Sequence, residues 1–308
     1  MILGHGDDIY SQDQSIQINF SSNVDTHQDL SALRAHLINC IEQIHSYPEP
    51  DARSLVELLA RKNHLSTETI GVTNGATEAI YMIAQAFREA RTTILIPTFS
   101  EYEDACQLNQ HQLRYATSLY EIEESDLVWI CNPNNPTGSV IDKSELTRFI
   151  LNKKDTVFVI DQSYEHFSKA EVFTHKESTE FKNLILLHSM TKHFAIPGLR
   201  LGYMSGNQEL IGKIMKYRMP WSVNQLAIEA GKFLETQYDN LVEVDLHLQN
   251  ARILYEELQS IPQLNVMPSQ THFFLCQLTT SRTAHDLKQY WIQQHGILIR
   301  DASNFRGL

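Results

Sequence analysis

The sequence predicts an α/β protein. Its large part is a three-layer α/β/α domain with a mostly parallel sheet, and a smaller α+β domain is formed by both chain ends. Three observations carry this. Apolar runs without alternation at 127–131, 156–160 and 183–187 read as strands buried on both faces, the pattern of a parallel sheet. Stretches with apolar residues at helical spacing separate such runs, so strand and helix alternate along the chain. The 308 residues, 42% of them hydrophobic, suffice for a large core and for two domains. The divisions are expected at 1–45 (N-terminal arm and part of the small domain), 46–225 (large domain) and 226–308 (the rest of the small domain).

Taken in order, Ile16, Ile18 and Phe20 alternate and predict a short edge strand. A helix follows over 30–44, broken by His45-Ser46-Tyr47-Pro48-Glu49-Pro50, then a helix over 54–62. Residues 70–80 read as strand, tight Asn74-Gly75 turn and the start of a helix over 76–90. The unpaired amides of that helix's first turn favour an anion. A strand over 93–97 precedes Thr98-Phe99-Ser100-Glu101-Tyr102, where Glu101 and Glu103 are expected to face solvent. The run 127–131 ends in Asn132-Pro133-Asn134-Asn135-Pro136-Thr137-Gly138 and a helix over 143–151. The run 156–160 delivers Asp161-Gln162-Ser163-Tyr164 at its C-terminal end, where open α/β sheets bind ligands. Beyond 200, a second short strand contains Gly202, a helix covers 209–218, and Met219-Pro220-Trp221-Ser222 breaks it. A long helical region over 224–260 then leads to strands at 264–267 and 271–278, a helix at 284–295 and a strand at 297–300.

The net charge is −12, from 25 basic and 37 acidic side chains, and no basic block stands out, which argues against nucleic acid as a partner. Cys40, Cys106, Cys131 and Cys276 are widely spaced and read as free thiols in a reducing compartment. The start has no signal-peptide pattern, and no apolar run is long enough to span a bilayer, so the cytoplasm is expected. No metal site is expected.

The chemistry concentrates after the run 183–187. Ser189 and Lys192 stand three residues apart in a loop, and Arg200 follows eight residues on. An amine among small and apolar neighbours, with a hydroxyl and a guanidinium to serve an anion, suits a Schiff base to an aldehyde cofactor that carries a phosphate. Lys192 would hold the aldehyde carbon; Ser189 and Arg200 would hold the phosphate.

This S-x-x-K pattern with its arginine resembles the lysine region of pyridoxal-phosphate enzymes of fold type I. The runs Ala195-Ile196-Pro197-Gly198-Leu199-Arg200-Leu201-Gly202-Tyr203 and Met219-Pro220-Trp221-Ser222-Val223-Asn224 resemble the branch that holds histidinol-phosphate aminotransferases and threonine-phosphate decarboxylases. The resemblance implies pyridoxal 5'-phosphate as cofactor and assigns roles position by position. Asp161 would hold the pyridine nitrogen, Asn135 and Tyr164 the phenolic oxygen, and Tyr102 would lay its ring on the cofactor. Gly75, Ala76 and Thr77 would join Ser189 and Arg200 at the phosphate. Tyr47 would reach across a homodimer interface to the partner's phosphate, with a small-molecule amino acid or amine as substrate. His5, Asn23, Arg300 and Asn304 match segments that build the substrate pocket of the decarboxylases. Gln162 and Ser163 depart from the family's usual Glu and Ala, and the neutral Gln162 is expected to alter the charge of the pocket floor.

The family's breadth puts aminotransfer first, on a small and phosphorylated amino acid or amine, with decarboxylation of L-threonine O-3-phosphate as the alternative. A cofactor-binding protein without catalysis is a third, weaker reading. In the family a further strand follows the position of Leu308 and carries the arginine that clamps the substrate's α-carboxylate, so truncation relative to the natural protein is expected.

Overall fold

The computed structural model describes residues 6–238 and 241–308. Its strands are β1 (Ile18–Phe20), β2 (Ile70–Thr73), β3 (Arg91–Leu95), β4 (Gln112–Ala116), β5 (Leu127–Cys131), β6 (Val157–Asp161), β7 (Leu184–Ser189), β8 (Gly202–Gly206), β9 (Leu264–Val266), β10 (Cys276–Leu278) and β11 (Ile297–Ile299). The helices are α1 (Ser31–Cys40), α2 (Arg53–Lys62), α3 (Gly75–Ala86), α4 (Glu101–Leu108), α5 (Lys143–Asn152), α6 (His175–Glu180), α7 (Met190–His193), α8 (Gln208–Met215), α9 (Gln225–Gln237), α10 (Val244–Gln259) and α11 (Ala284–His295). None of the described helices is long and apolar enough to cross a membrane.

Seven strands form one sheet in the order β2-β8-β7-β6-β5-β3-β4. Only β8 runs against its neighbours within this sheet. The alternation of side chains along the central strands divides the interior in two. Leu127, Trp129, Val159, Ile185 and Leu187 point to the side covered by α3, α4 and α8. Val128, Ile130, Phe158, Ile160, Leu184 and Leu186 point to the other, where Leu146 and Ile150 of α5 pack. Both faces being covered, these strands have no polar position until their ends, which explains their unbroken apolar sequence. A third core joins α1, α2 and α9 to Ile70, Val72, Leu201 and Tyr203.

The chain's two ends meet. β1 pairs in parallel with β11, Ile18 opposite Ile297 and Phe20 opposite Ile299. A separate antiparallel pair, β9 with β10, lies beside α10.

Several local expectations need correction. The helix expected over 30–44 is α1 followed by a 3-10 turn at Ile41–His45. The single region over 224–260 is two helices, α9 and α10. Only Cys276–Leu278 of the expected strand over 271–278 is extended in a ladder. α4, β4 and α6 were not anticipated. α4 turns Glu101 inward: its side chain is 7% exposed and its carboxylate accepts the Tyr81 hydroxyl at 2.8 Å, so it does not face solvent. The short amphipathic spans of α4 and α6 hold too few turns for a period to emerge.

Leu186→Ala, in the fully buried centre of β7, is expected to cost about 2–5 kcal/mol of stability in urea unfolding, from lost transfer energy and a cavity. Leu151→Ala, on the exposed side of α5, is expected to stay within about 0.5 kcal/mol of the parent.

Candidate active site

The register of the large sheet gathers the polar residues. Cys131 of β5 lies opposite Asp161 of β6, and Asp161 opposite Leu187 of β7. Ser189 of β7 lies opposite Gly202 of β8, and Gly202 opposite Thr73 of β2. The turn after β2 starts α3 with Gly75. The 132–138 loop, Asp161, Ser189, Lys192 and the first turn of α3 therefore cluster at one end of the sheet, beyond the C-terminal ends of its parallel strands.

Asp161 is 4% exposed. One carboxylate oxygen accepts the Ser163 amide at 2.9 Å and hydroxyl at 2.5 Å; the other accepts the Tyr102 hydroxyl at 2.7 Å. Tyr102 does not present an open face. Its ring is fully buried, stacked on Trp129 at 5.0 Å and 10°, and Phe99 meets it edge-on at 5.8 Å. The correction is one of packing: the Trp129 indole from β5 covers the ring, and α4 ties its hydroxyl to Asp161. Tyr164 is buried and its hydroxyl accepts the Asn23 amide at 3.2 Å, so the arm meets the large sheet here. Burial pushes the Tyr164 hydroxyl's pKa up. The Asn135 backbone N–H donates to Cys131 Sγ at 3.4 Å, while its side-chain amide makes no hydrogen bond among the described residues.

Lys192 follows in α7. Its amine makes no hydrogen bond among the described residues. Burial holds its pKa below the ordinary lysine range and the Arg200 guanidinium adds to this, against the pull of Asp7 and Asp161. Arg200 has a left-handed backbone (φ 58°) and donates to the Pro197 carbonyl at 3.0 Å. Gly75 also has positive φ, and a Cβ there would stand 2.6 Å from the Arg200 guanidinium. Only glycine leaves room for the guanidinium over the first turn of α3. A Cβ at Gly202 would stand 2.6 Å from the Ala76 amide nitrogen, which brings β8 equally close. Ala76 and Thr77 are half-buried beside this point. The Ser189 and Thr191 hydroxyls are 2.7 Å apart. A helix N-terminus, a guanidinium and hydroxyls around two close-packed glycines are donors of the kind that suit a phosphate. With an unpaired amine and a buried carboxylate alongside, the donor set fits an aldehyde cofactor bearing a phosphate and a ring nitrogen.

The remaining predicted residues divide. Tyr47 is 83% exposed and leans on Trp221 at 5.2 Å, so it is not part of this cluster within one chain. Arg300 donates to the Asn304 side chain at 3.0 Å and covers the Phe305 ring at 5.2 Å. It lies against the arm, since a Cβ at Gly6 would be 3.8 Å from its Cδ. His5 lies outside the described residues. Gln162 does not line the pocket. It is 1% exposed and its amide donates to Glu165 at 3.0 Å and to the Phe173 carbonyl at 2.9 Å. The charge beneath the site belongs to Glu165.

Two features were not anticipated. Glu165 pairs with the buried His188 at 2.8 Å, and His188 stacks on Tyr203 at 4.7 Å with His175 edge-on at 4.3 Å. Burial raises the pKa of Glu165, but His188, His166 and His175 outweigh it and bring it down to about 2. His272 lies among Phe167, Tyr164, Phe273 and His247, with both ring nitrogens enclosed and outside hydrogen-bonding geometry. The only sequence signal for His272 was its place in the apolar Phe273-Phe274-Leu275 run.

Burial, with His247 adding, lowers His272 to about 3, and burial, with His188 adding, lowers His175 to about 3. Both imidazoles stay neutral in the fold while the unfolded chain takes up protons near pH 6.5. Stability is therefore fully present above about pH 6.5 and lost on acidification toward 3, and Glu165 adds a loss between about 4.5 and 2. His272→Phe is expected to flatten the fall in unfolding free energy between pH 6 and 4 by about 1.4 kcal/mol per pH unit, measured by denaturant titration.

Comparison with known proteins identifies the family. Residues 15–306 match the family model of aminotransferase class I and II. The adenosylcobalamin biosynthesis bifunctional protein CobDQ of Leptospira interrogans is 29% identical over 94% of the chain, but the chain spans only 36% of that longer protein. The histidinol-phosphate aminotransferase of Caldanaerobacter subterraneus is 32% identical over 86% of the chain and 78% of its own length. The crystal structure of L-threonine-O-3-phosphate decarboxylase from Porphyromonas gingivalis superposes with a TM-score of 0.92 at 40% identity, covering 94% of this chain and 91% of that one. The chain belongs to the aminotransferase class I and II family, whose members are pyridoxal-phosphate enzymes of fold type I.

Proposed function

We propose that the chain is a pyridoxal-phosphate-dependent decarboxylase of L-threonine O-3-phosphate or a close phosphorylated amino acid. The observation that carries this lies among solved structures: 40% identity to the Porphyromonas gingivalis decarboxylase over nearly the whole chain, against 25% to a histidinol-phosphate aminotransferase. Gly6 beside Arg300, Arg300 on Asn304, and Asn23 on the Tyr164 hydroxyl support it, because these positions match the decarboxylases' substrate segments. This reverses the order expected from the family's breadth.

When bound, the cofactor serves as an electron sink for the carbanion left at the substrate's α-carbon. The chain's residues then have separable tasks. Ser189, Arg200 and the amides of Ala76 and Thr77 hold the phosphate, joined by the partner's Tyr47 in a homodimer. Asp161 keeps a proton on the ring nitrogen. Asn135 and Tyr164 donate to the phenolic oxygen, and Asn23 orients the Tyr164 hydroxyl. Tyr102 fixes the Asp161 carboxylate from behind. Lys192 would hold the aldehyde and would be the proton donor to the substrate's α-carbon; an amine kept below its ordinary pKa suits both tasks. Arg300 is the cation for the substrate's anionic end.

Aminotransfer is the second reading, favoured by the histidinol-phosphate aminotransferase relative. Holoenzyme mixed in separate single turnovers with O-phosphothreonine and with histidinol phosphate separates the two. Carbon dioxide release with recovery of the cofactor's starting absorbance is expected with the first. A keto product and the pyridoxamine form, without carbon dioxide, would establish aminotransfer instead. Lys192→Ala is expected to abolish turnover on either substrate; retained turnover would remove Lys192 from the chemistry. Arg300→Gln is expected to raise KM for the phosphorylated substrate by at least about tenfold, read from initial rates, as a charge-assisted anion contact is lost.

A further inference from the structure

Far from the cofactor cluster, the packed pair α1 and α9 brings together three metal-ligating side chains. His36 and Cys40 stand four residues apart on α1 and share one face of the helix. Glu229 comes from α9. The His36 Nε2 is 3.7 Å from Cys40 Sγ and 3.9 Å from Glu229 Oε2, and the three ligand atoms lie within 4.8 Å of one another. A tetrahedral zinc ion would hold such nitrogen, sulfur and oxygen donors roughly 3.3–3.6 Å apart. The cluster is wider than a closed site, by up to about 1 Å in its longest pair, so the three side chains must draw together to close on an ion.

The surroundings preset this geometry. The His36 ring is stacked on Phe233 of α9 at 4.7 Å and 22°, which fixes its plane with Nε2 toward the other two donors. Glu229 Oε1 is tied off by Lys232 at 2.9 Å and Gln225 at 3.2 Å, and Gln225 is anchored to Gln43 at 2.8 Å. Its second oxygen, Oε2, is left to face His36. Such outer contacts orient metal ligands. Cys40 is 8% exposed and the Glu229 side chain 13%, while the His36 side chain, at 29%, leaves a way in.

We propose that His36, Cys40 and Glu229 form a site for a borderline-soft divalent cation of the zinc type, which clamps α1 onto α9. The thiol proton passes to solvent as the sulfur becomes a ligand, and one coordination position remains for water. The site is structural: α1 runs directly into the 3-10 turn that leads to Tyr47, so the clamp fixes the base of the segment that reaches toward the partner.

Without a metal, the same cluster is a thiol donating to an imidazole beside a carboxylate, and the experiment separates the two. Full-length holoenzyme is stripped with chelator and titrated with zinc by calorimetry, in a Cys276→Ser background that removes the exposed thiol. One equivalent of zinc per chain is expected, with a sulfur shell at about 2.3 Å in the zinc X-ray absorption spectrum. Cys40→Ser should remove the sulfur shell, and Glu229→Gln should weaken binding at least about tenfold. Zinc should raise the melting temperature of the parent and leave that of Cys40→Ser unchanged. Should either variant fold poorly, zinc protection of Cys40 from alkylation, mapped by mass spectrometry in the Cys276→Ser background, gives the same reading. No bound equivalent, a spectrum without sulfur, or alkylation of Cys40 unaffected by zinc would overturn the site.

Discussion

The two-sided burial of β5, β6 and β7 is the constraint on which the site depends. A strand with helices on both faces admits no polar side chain along its length, because an unpaired polar atom there would lose its water for nothing. Polar chemistry is confined to the strand ends. Asp161 is the last residue of β6 and Ser189 the last of β7. The sheet order sets Ser189 two strands and Asp161 three strands from β2, which leads into α3, so the sheet itself spaces the carboxylate from the first turn of α3. No loop has to find this geometry.

Beneath the site, the sheet's end is braced by a second polar layer. Glu165, Gln162 and His188 link the turn after β6 to the end of β7. Their satisfied contacts resist relative motion of Asp161 and Lys192, and the buried Glu165 charge has partners enough to remain ionised. Burial keeps His175 neutral at neutral pH, where it contributes packing surface that protonation disrupts. One network thus sets both local rigidity and acid sensitivity.

The buried strands and the lysine stretch were legible in the sequence because their signals are strong and local. Five successive apolar residues from Leu127 to Cys131 admit few readings, and Ser189, Lys192 and Arg200 carry their chemistry in their types and spacing. What escaped was decided by tertiary packing. Nothing in the sequence tells that Trp129 lies flat on Tyr102, or that Glu101 turns inward to Tyr81. A glutamate such as Glu101, six residues after the end of β3, reads as solvent-facing by composition alone. Gln162 illustrates the reverse: its departure from the family pattern was visible, but only its contacts reveal that the neighbouring Glu165 carries the negative charge. His36, Cys40 and Glu229 were invisible as a group, because two helices far apart in sequence have to pack before their donors meet.

The parallel pairing of β1 with β11 has a consequence for how the molecule is made. Ile18 leaves the ribosome long before its partner Ile297. The seven strands of the large sheet, with Lys192 and Asp161, all precede β9, β10 and β11 in the chain. The arm that carries Asn23 has no strand to join until β11 arrives. The residues of the cofactor side are therefore all synthesised before the substrate side can close against them.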